Sequence, residues 1–197
     1  MSFSAKMFNR RASDPRYKPN RIIDALALQK GQVVADVGSG GGYFSLRFAN
    51  AVGKEGRVYA VDTNPKMLEF VRQSAVDKEL NNIETRLIEG NDLPLPEKAL
   101  NLVFLRNVCH HLSNRVEYFK KVQNVLKPEG KVAIIEYTRS GVFRSVFRHY
   151  VPQETIKKEM HEAGYQIQEA FDFLPEQSFT IFIVKPKKHL RASHIEI

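Results

Sequence analysis

Residues 33–49 read VVADVGSGGGYFSLRFA: an apolar, β-branched run passes through Gly38, Gly40, Gly41 and Gly42 and goes directly into a helical pattern. Few local arrangements satisfy all three parts. A buried strand ending in glycines lets a ligand approach the backbone, and the first free amides of the following helix point at any anionic group placed there. The segment therefore asks for a sheet whose strand ends carry a ligand loop, and it argues against an all-helical bundle or an all-antiparallel sandwich.

The rest of the chain agrees, because short β-branched runs alternate with longer amphipathic segments. Strands are expected at Val33–Val37, Arg57–Val61, Ile83–Ile88, Asn101–Leu105 and Lys131–Tyr137. Helices are expected over Tyr43–Ala51, stopping near Gly53, and from Pro65 to about Asp77, opened by Asn64-Pro65. Another runs from Ser113 through Val116, Phe119, Val122, Val125 and Leu126, with Pro128-Glu129-Gly130 as the turn into the fifth strand. A last helix spans Pro152–Ala163, and Tyr165–Phe173 and Ser178–Val184 follow as an antiparallel hairpin at the sheet edge. The expected class is α/β: a doubly wound sheet, mostly parallel, closed by an antiparallel C-terminal hairpin strand. At 197 residues one core is expected. Residues 1–185 form a single domain, with a basic leader or cap over 1–21 and a lid over 138–151; residues 186–197 form a flexible tail.

Composition narrows the class further. A hydrophobic fraction of 43% and a charged fraction of 26% are those of a soluble globular protein. No apolar stretch approaches the roughly 18 residues of a bilayer span, and the opening MSFSAKMFNRRASDPRY lacks the apolar segment of a secretory signal. A cytoplasmic location is the expectation. Cys109 is the sole cysteine, which excludes an internal disulfide and a multi-thiol metal centre. The net charge of +8 is concentrated at the flanks: residues 1–21 hold six Lys/Arg against one Asp, and residues 139–150 hold three Arg and no acid. Such flanks attract an anionic partner, whether small molecule, nucleic acid or membrane surface.

The glycine spacing selects the ligand. A dinucleotide fingerprint needs glycine at positions one, three and six; counting from Gly38 gives Gly38, Gly40 and then Tyr43. The bulky sixth residue obstructs the close helix–strand contact, so NAD and FAD are disfavoured. A P-loop is excluded because no Gly-Lys-Ser/Thr follows. The pattern Asp36-x-Gly38-x-Gly40-x-Gly42 resembles the first motif of the class I S-adenosylmethionine-dependent methyltransferases, whose fold is Rossmann-like, and the similarity covers about residues 20–185. The resemblance implies that Asp36, Gly38, Ser39, Gly40 and Gly42 wrap the amino-acid end of S-adenosyl-L-methionine.

Asp62, twenty residues past Gly42, ends the second expected strand, where a carboxylate can accept both ribose hydroxyls. A helix-capping role for Asp62 is the alternative. By the same resemblance Thr63 belongs to the cofactor site and Met67 lies under the adenine, although its helical spacing also suits a core methionine. In Glu89-Gly90-Asn91-Asp92-Leu93-Pro94, Asn91 and Asp92 compete to bind the adenine amine.

The fourth strand runs into Leu105-Arg106-Asn107-Val108-Cys109-His110-His111. The Leu-Arg-Asn-Val string is similar to that of the ubiquinone/menaquinone-biosynthesis methyltransferases, and it implies that Arg106 and Asn107 flank the methionine part of the cofactor. His110 or His111 is the best-placed titratable group, able to take a proton from a hydroxyl or enolic substrate. A structural histidine packed at a helix start is the alternative for each. Methyl transfer is an in-line displacement in which positioning supplies most of the rate, so no triad is required. No metal is expected, since the histidines lack ligand spacing and Asn101 stands where metal-dependent relatives carry a carboxylate. Arsenite methylation, which needs several cysteines in the family that performs it, is excluded by Cys109 standing alone. Acceptor specificity is expected from Phe3, Phe8 and Tyr17 in the leader and from Phe143, Phe147, His149, Tyr150, Arg139, Arg144 and Arg148 in the lid. The expected activity is methyl transfer to a small-molecule acceptor, anionic or aromatic. An RNA or protein methyltransferase, with nucleic acid held by the flanks, and a non-catalytic cofactor-binding module are the rivals.

Overall fold

The computed structural model describes residues 3–90, 93–138 and 150–186. Seven strands form one sheet: β1 (Val33–Val37), β2 (Arg57–Asp62), β3 (Ile83–Leu87), β4 (Leu100–Arg106), β5 (Leu126–Tyr137), β6 (Tyr165–Phe171) and β7 (Gln177–Val184). Their order is β3-β2-β1-β4-β5-β7-β6, with β7 antiparallel to both β5 and β6 and the other pairs parallel. The doubly wound class and the closing hairpin are as the sequence predicts.

Six helices accompany the sheet among the described residues: α1 (Phe3–Ala12), α2 (Pro19–Leu26), α3 (Tyr43–Val52), α4 (Pro65–Val76), α5 (Arg115–Val125) and α6 (Gln153–Glu162). The leader is the main surprise. Read from sequence as a basic leader or cap, it folds as α1, a 3-10 turn at Pro15–Tyr17 and α2, with Ala5, Ala12, Tyr17, Ile22 and Leu26 buried. Asn64 caps α4 by accepting from Lys66 N at 3.0 Å. The cap of α5 is Asn114, which accepts from Glu117 N at 3.3 Å, rather than the expected Ser113. Pro128-Glu129-Gly130 does not form a free turn. It lies within β5, where the register slips from Leu100↔Leu126 to Leu102↔Lys131, so the extra residues bulge out of the ladder.

Core packs on both faces of the sheet. On one face Phe44 and Phe48 from α3 meet Phe104 of β4 at ring separations of 5.1 Å each, and Ile22 and Val52 complete the cluster. On the other, Phe119 and Val122 of α5 and Met160 of α6 cover Val103, Leu105 and Val132. Such two-sided burial explains why the central strands are apolar throughout.

The register then creates the site. Val37 lies level with both Val61 and Leu105. Gly38, Asp62 and Arg106 consequently leave the sheet at the same edge, where the strand order reverses between β1 and β4 and a doubly wound sheet opens its crevice. Residues 139–149 of the expected lid and 187–197 of the tail lie outside the described residues.

Candidate active site

The crevice holds a cleft of about 1080 Å³ that runs from the glycine loop to the start of α5. At the loop, the N–H groups of Gly38 and Ser39 both donate to Val61 O, at 2.8 and 3.0 Å, which pins β1's exit to the end of β2. Gly38 has φ +71°, and a Cβ there would collide with Val108 Cγ2; the glycine is required on both counts. Gly40 N donates to Asp62 Oδ2 at 2.8 Å, while Asp62 Oδ1 accepts from Asn64 N at 2.9 Å. Asp62 thus does cap the turn before α4. A carboxylate has about four lone-pair sites, so the two bonds leave capacity for a ligand.

Asp36, one residue before the end of β1, is buried and accepts from Ser45 Oγ at 2.5 Å. Burial pushes its carboxyl up to about 6, with the nearby Asp62 charge adding to the rise while the Ser45 bond and the Arg106 charge oppose it. Arg106 holds its guanidinium 5.5 Å from the rings of both Tyr17 and Phe44. Desolvation pushes its pKa down. Behind it stands Gln177 at the start of β7, whose Nε2 donates to Asn107 Oδ1 at 2.6 Å and whose Oε1 faces Arg106 at 3.5 Å. One buried amide therefore orients both residues at the exit of β4.

The leader closes the glycine loop from above. Asn9 Nδ2 donates to Gly41 O at 2.7 Å, and Asn9 Oδ1 accepts from Tyr43 N at 3.1 Å, supplying the start of α3 with a cap from 34 residues away. A Cβ on Gly41 would strike Ala5 O, so Gly41 is glycine because α1 lies on it.

Next to the loop, following Val108, a 3-10 turn at Cys109–His111 carries both histidines, with rings 4.1 Å apart. His110 Nδ1 lies 3.0 Å from Oε1 of Glu136, and His110 N donates to Oε2 at 3.3 Å. Glu136 is a fully buried acid in β5. Cys109 is buried too, and desolvation drives its thiol far above the ordinary range, so it is no nucleophile.

Of the residues singled out from sequence, Asp36, Gly38, Ser39, Gly40, Asp62, Thr63, Met67, Arg106, Asn107, His110 and His111 all line this cleft. Gly42 does not: it caps α3 and packs on Val71, so its tie is to helix packing. Asn91 and Asp92 lie outside the described residues. Asn101 sits at the far end of β4, accepting from Val33 N at 2.9 Å and Lys127 Nζ at 3.1 Å. Sequence reasoning missed Asn9, Glu136 and Gln177. Glu136 did carry a signal, as the lone acid between Lys131 and Tyr137 in an apolar strand; the other two have none without the fold.

A family model described as a methyltransferase domain matches residues 28–181. The chain is 29% identical over 168 residues to an arsenite methyltransferase of Halobacterium salinarum, which covers 80% of the chain and 42% of that protein. It is 30% identical over 135 residues to a demethylmenaquinone methyltransferase of Listeria monocytogenes, covering 64% of the chain and 56% of the relative. The chain spans about half the length of the curated relatives it matches. Among solved structures, a SAM-dependent methyltransferase from Aquifex aeolicus superposes with a TM-score of 0.80 at 21% identity, over 93% of the chain and 100% of that structure.

Proposed function

The chain belongs to the methyltransferase-domain family, and on that premise we propose that it transfers the methyl group of S-adenosylmethionine to a small-molecule acceptor held in the same cleft. The observation that carries this reading is continuity: the glycine loop, Asp62, His110 and His111 all line a single cavity. Its volume of about 1080 Å³ accommodates a nucleoside-sized cofactor with a modest acceptor beside it.

The residues present fit the cofactor. Ser39 Oγ and Arg106 Nε are buried polar atoms with no partner, and both residues line the cleft. An orphaned buried donor costs about 1–3 kcal/mol, which a ligand bearing a carboxylate and an ammonium offsets. Asp62 would hold the ribose, Met67 and Thr63 the adenine side, with Asn91 or Asp92 at the adenine amine; Arg106, Asn107 and Asp36 would hold the methionine end. When bound, the cofactor supplies a sulfonium methyl carbon that accepts an electron pair. The protein's part is alignment and exclusion of water: α1 covers the loop, Gln177 fixes Arg106 and Asn107, and the acceptor lies beside the histidines.

A small anionic or aromatic acceptor suits Arg11, a cation in the lining of the cleft. Arsenic chemistry is poorly served, because the chain's one thiol is buried and held protonated. Among the described residues no helix is long and apolar enough to cross a membrane.

Calorimetric titration with S-adenosylmethionine, S-adenosylhomocysteine and NAD tests the proposal. Micromolar binding of the first two and none of NAD is expected, followed by transfer of labelled methyl to members of a phenol, carboxylate and amine panel. Binding of neither sulfur compound overturns it, and transfer to RNA or protein that falls steeply with salt moves the acceptor to a macromolecule.

A further inference from the structure

We propose that His110 is the general base of this site, that Glu136 is its positioning residue, and that the acceptor therefore presents an ionisable hydroxyl, phenolic or enolic. The inference rests on the methyltransferase reading of the cleft and adds the acceptor chemistry to it.

Glu136 is an acid in the interior of an otherwise apolar strand segment. It sits in β5, hydrogen-bonded to β4 on one side and β7 on the other, with no solvent exposure. Burying a carboxylate is costly unless it is paired. Its side-chain oxygens accept from Tyr137 N at 2.9 Å, from His110 N at 3.3 Å and from the His110 ring at 3.0 Å. Arg115, the nearby cation on α5, spends its guanidinium on Glu159 at 2.6 and 2.8 Å and on the carbonyls of Cys109 and Leu112. Among the described residues, the His111 ring at 4.1 Å and the protonated Cys109 thiol also face the pair. The side-chain partner recorded for the carboxylate among those residues is an imidazole that lines the cleft.

An ionised carboxylate only accepts hydrogen bonds, so the ring proton belongs on His110 Nδ1 and the lone pair on Nε2, on the opposite side of the ring. The same bond stabilises the imidazolium once Nε2 takes a proton. The turn also lies beside the glycine loop, since Val108, two residues before His110, abuts Gly38.

A held base matters for one kind of acceptor. Thiols are partly ionised at neutral pH and the free-base fraction of an amine already carries a nucleophilic lone pair, whereas a neutral hydroxyl oxygen is a poor nucleophile until its proton departs. The proton passes from the acceptor O–H to His110 Nε2; the oxygen electron pair forms the new O–CH3 bond, and the sulfur keeps the pair of the S–CH3 bond it loses. Excess positive charge on the imidazolium faces Glu136 until the proton leaves to solvent.

Two measurements test this without turnover. The first is the nitrogen NMR shifts of His110, which should show Nδ1 protonated and Nε2 bare in the wild type at pH 8, with the preference lost in Glu136→Gln; a wild-type proton on Nε2 overturns the proposal. The second uses 4-nitrophenol, whose anion absorbs in the visible, as a probe bound to protein loaded with S-adenosylhomocysteine at pH 6. Wild type, and Glu154→Gln on the exposed side of α6, should raise the fraction ionised at least tenfold over solvent. His110→Ala and Glu136→Gln should abolish that rise while retaining the wild-type affinity for S-adenosylhomocysteine. No nitrophenolate in the wild type, or equal ionisation in Glu136→Gln, overturns it. Failure of S-adenosylhomocysteine to bind the wild type would instead overturn the cofactor reading.

Discussion

The side-chain amide of Asn9 and the backbone carbonyl of Gly41 meet at 2.7 Å, joining a helix in the leader to the middle of the glycine loop. With Asn9 Oδ1 also accepting from Tyr43 N, one side chain satisfies an acceptor of the loop and a donor of the following helix. The leader is therefore part of the cofactor-loop architecture.

Asn9→Ala removes both bonds. A lost N-cap costs about 1–2 kcal/mol, and most of it should appear as lowered thermal stability. Loosening of the loop should also weaken S-adenosylmethionine binding roughly tenfold, and limited proteolysis should cut within α1 sooner than in the wild type. Unchanged affinity in calorimetry would confine Asn9 to stability.

Asp62→Asn tests the ribose assignment more sharply than alanine does. The amide oxygen can still accept from Gly40 N, so the tie to the loop is retained, while the charge and the bond from Asn64 N are lost. Charge-assisted bonds contribute about 1.5–3 kcal/mol, which predicts affinity for S-adenosylhomocysteine lower by roughly ten- to a hundredfold. Circular dichroism should be that of the wild type.

Gln177→Leu should act on the cofactor from behind. It deletes the donor to Asn107 Oδ1 and the acceptor facing Arg106 while keeping an apolar volume at the end of β7. Freed rotation of two cleft residues is expected to raise the dissociation constant several-fold to tenfold. Stability should fall by about 1–3 kcal/mol, because Arg106 and Asn107 lose a buried partner.

Asp36 should make the protein's stability depend on pH in an unusual direction for an acid. Its folded value of about 6 lies above the unfolded 3.8, so the native state holds the proton more tightly. The group is neutral in both states below about pH 4 and imposes no cost there; the cost grows as pH rises and is complete above about 6. At roughly 1.4 kcal/mol per pH unit, the full cost is about 3 kcal/mol. Asp36→Asn should therefore stabilise the chain by about 2–3 kcal/mol in urea unfolding at pH 8. That gain should shrink toward zero as pH approaches 4, and cofactor binding should weaken at every pH.

Local order in the chain was enough to place β1, the glycine loop, α3 and the capped start of α4, since apolar alternation, glycine and Asn-Pro act over a few residues. It also placed Asp62 and the Arg106–His111 segment, because strand ends in a parallel sheet converge on one edge whatever their separation in sequence. What it could not supply were partners chosen by the packing of distant segments. Asn9 reads as one more polar residue in a basic leader, and only the docking of α1 puts it on Gly41. Gln177 reads as a hairpin residue, and only the antiparallel insertion of β7 beside β5 brings it to Asn107. Between His110 and His111 the sequence offers two identical side chains, and a buried carboxylate 26 residues downstream distinguishes them. Hydrogen bonds of that kind are decided by tertiary register, which local propensity does not encode.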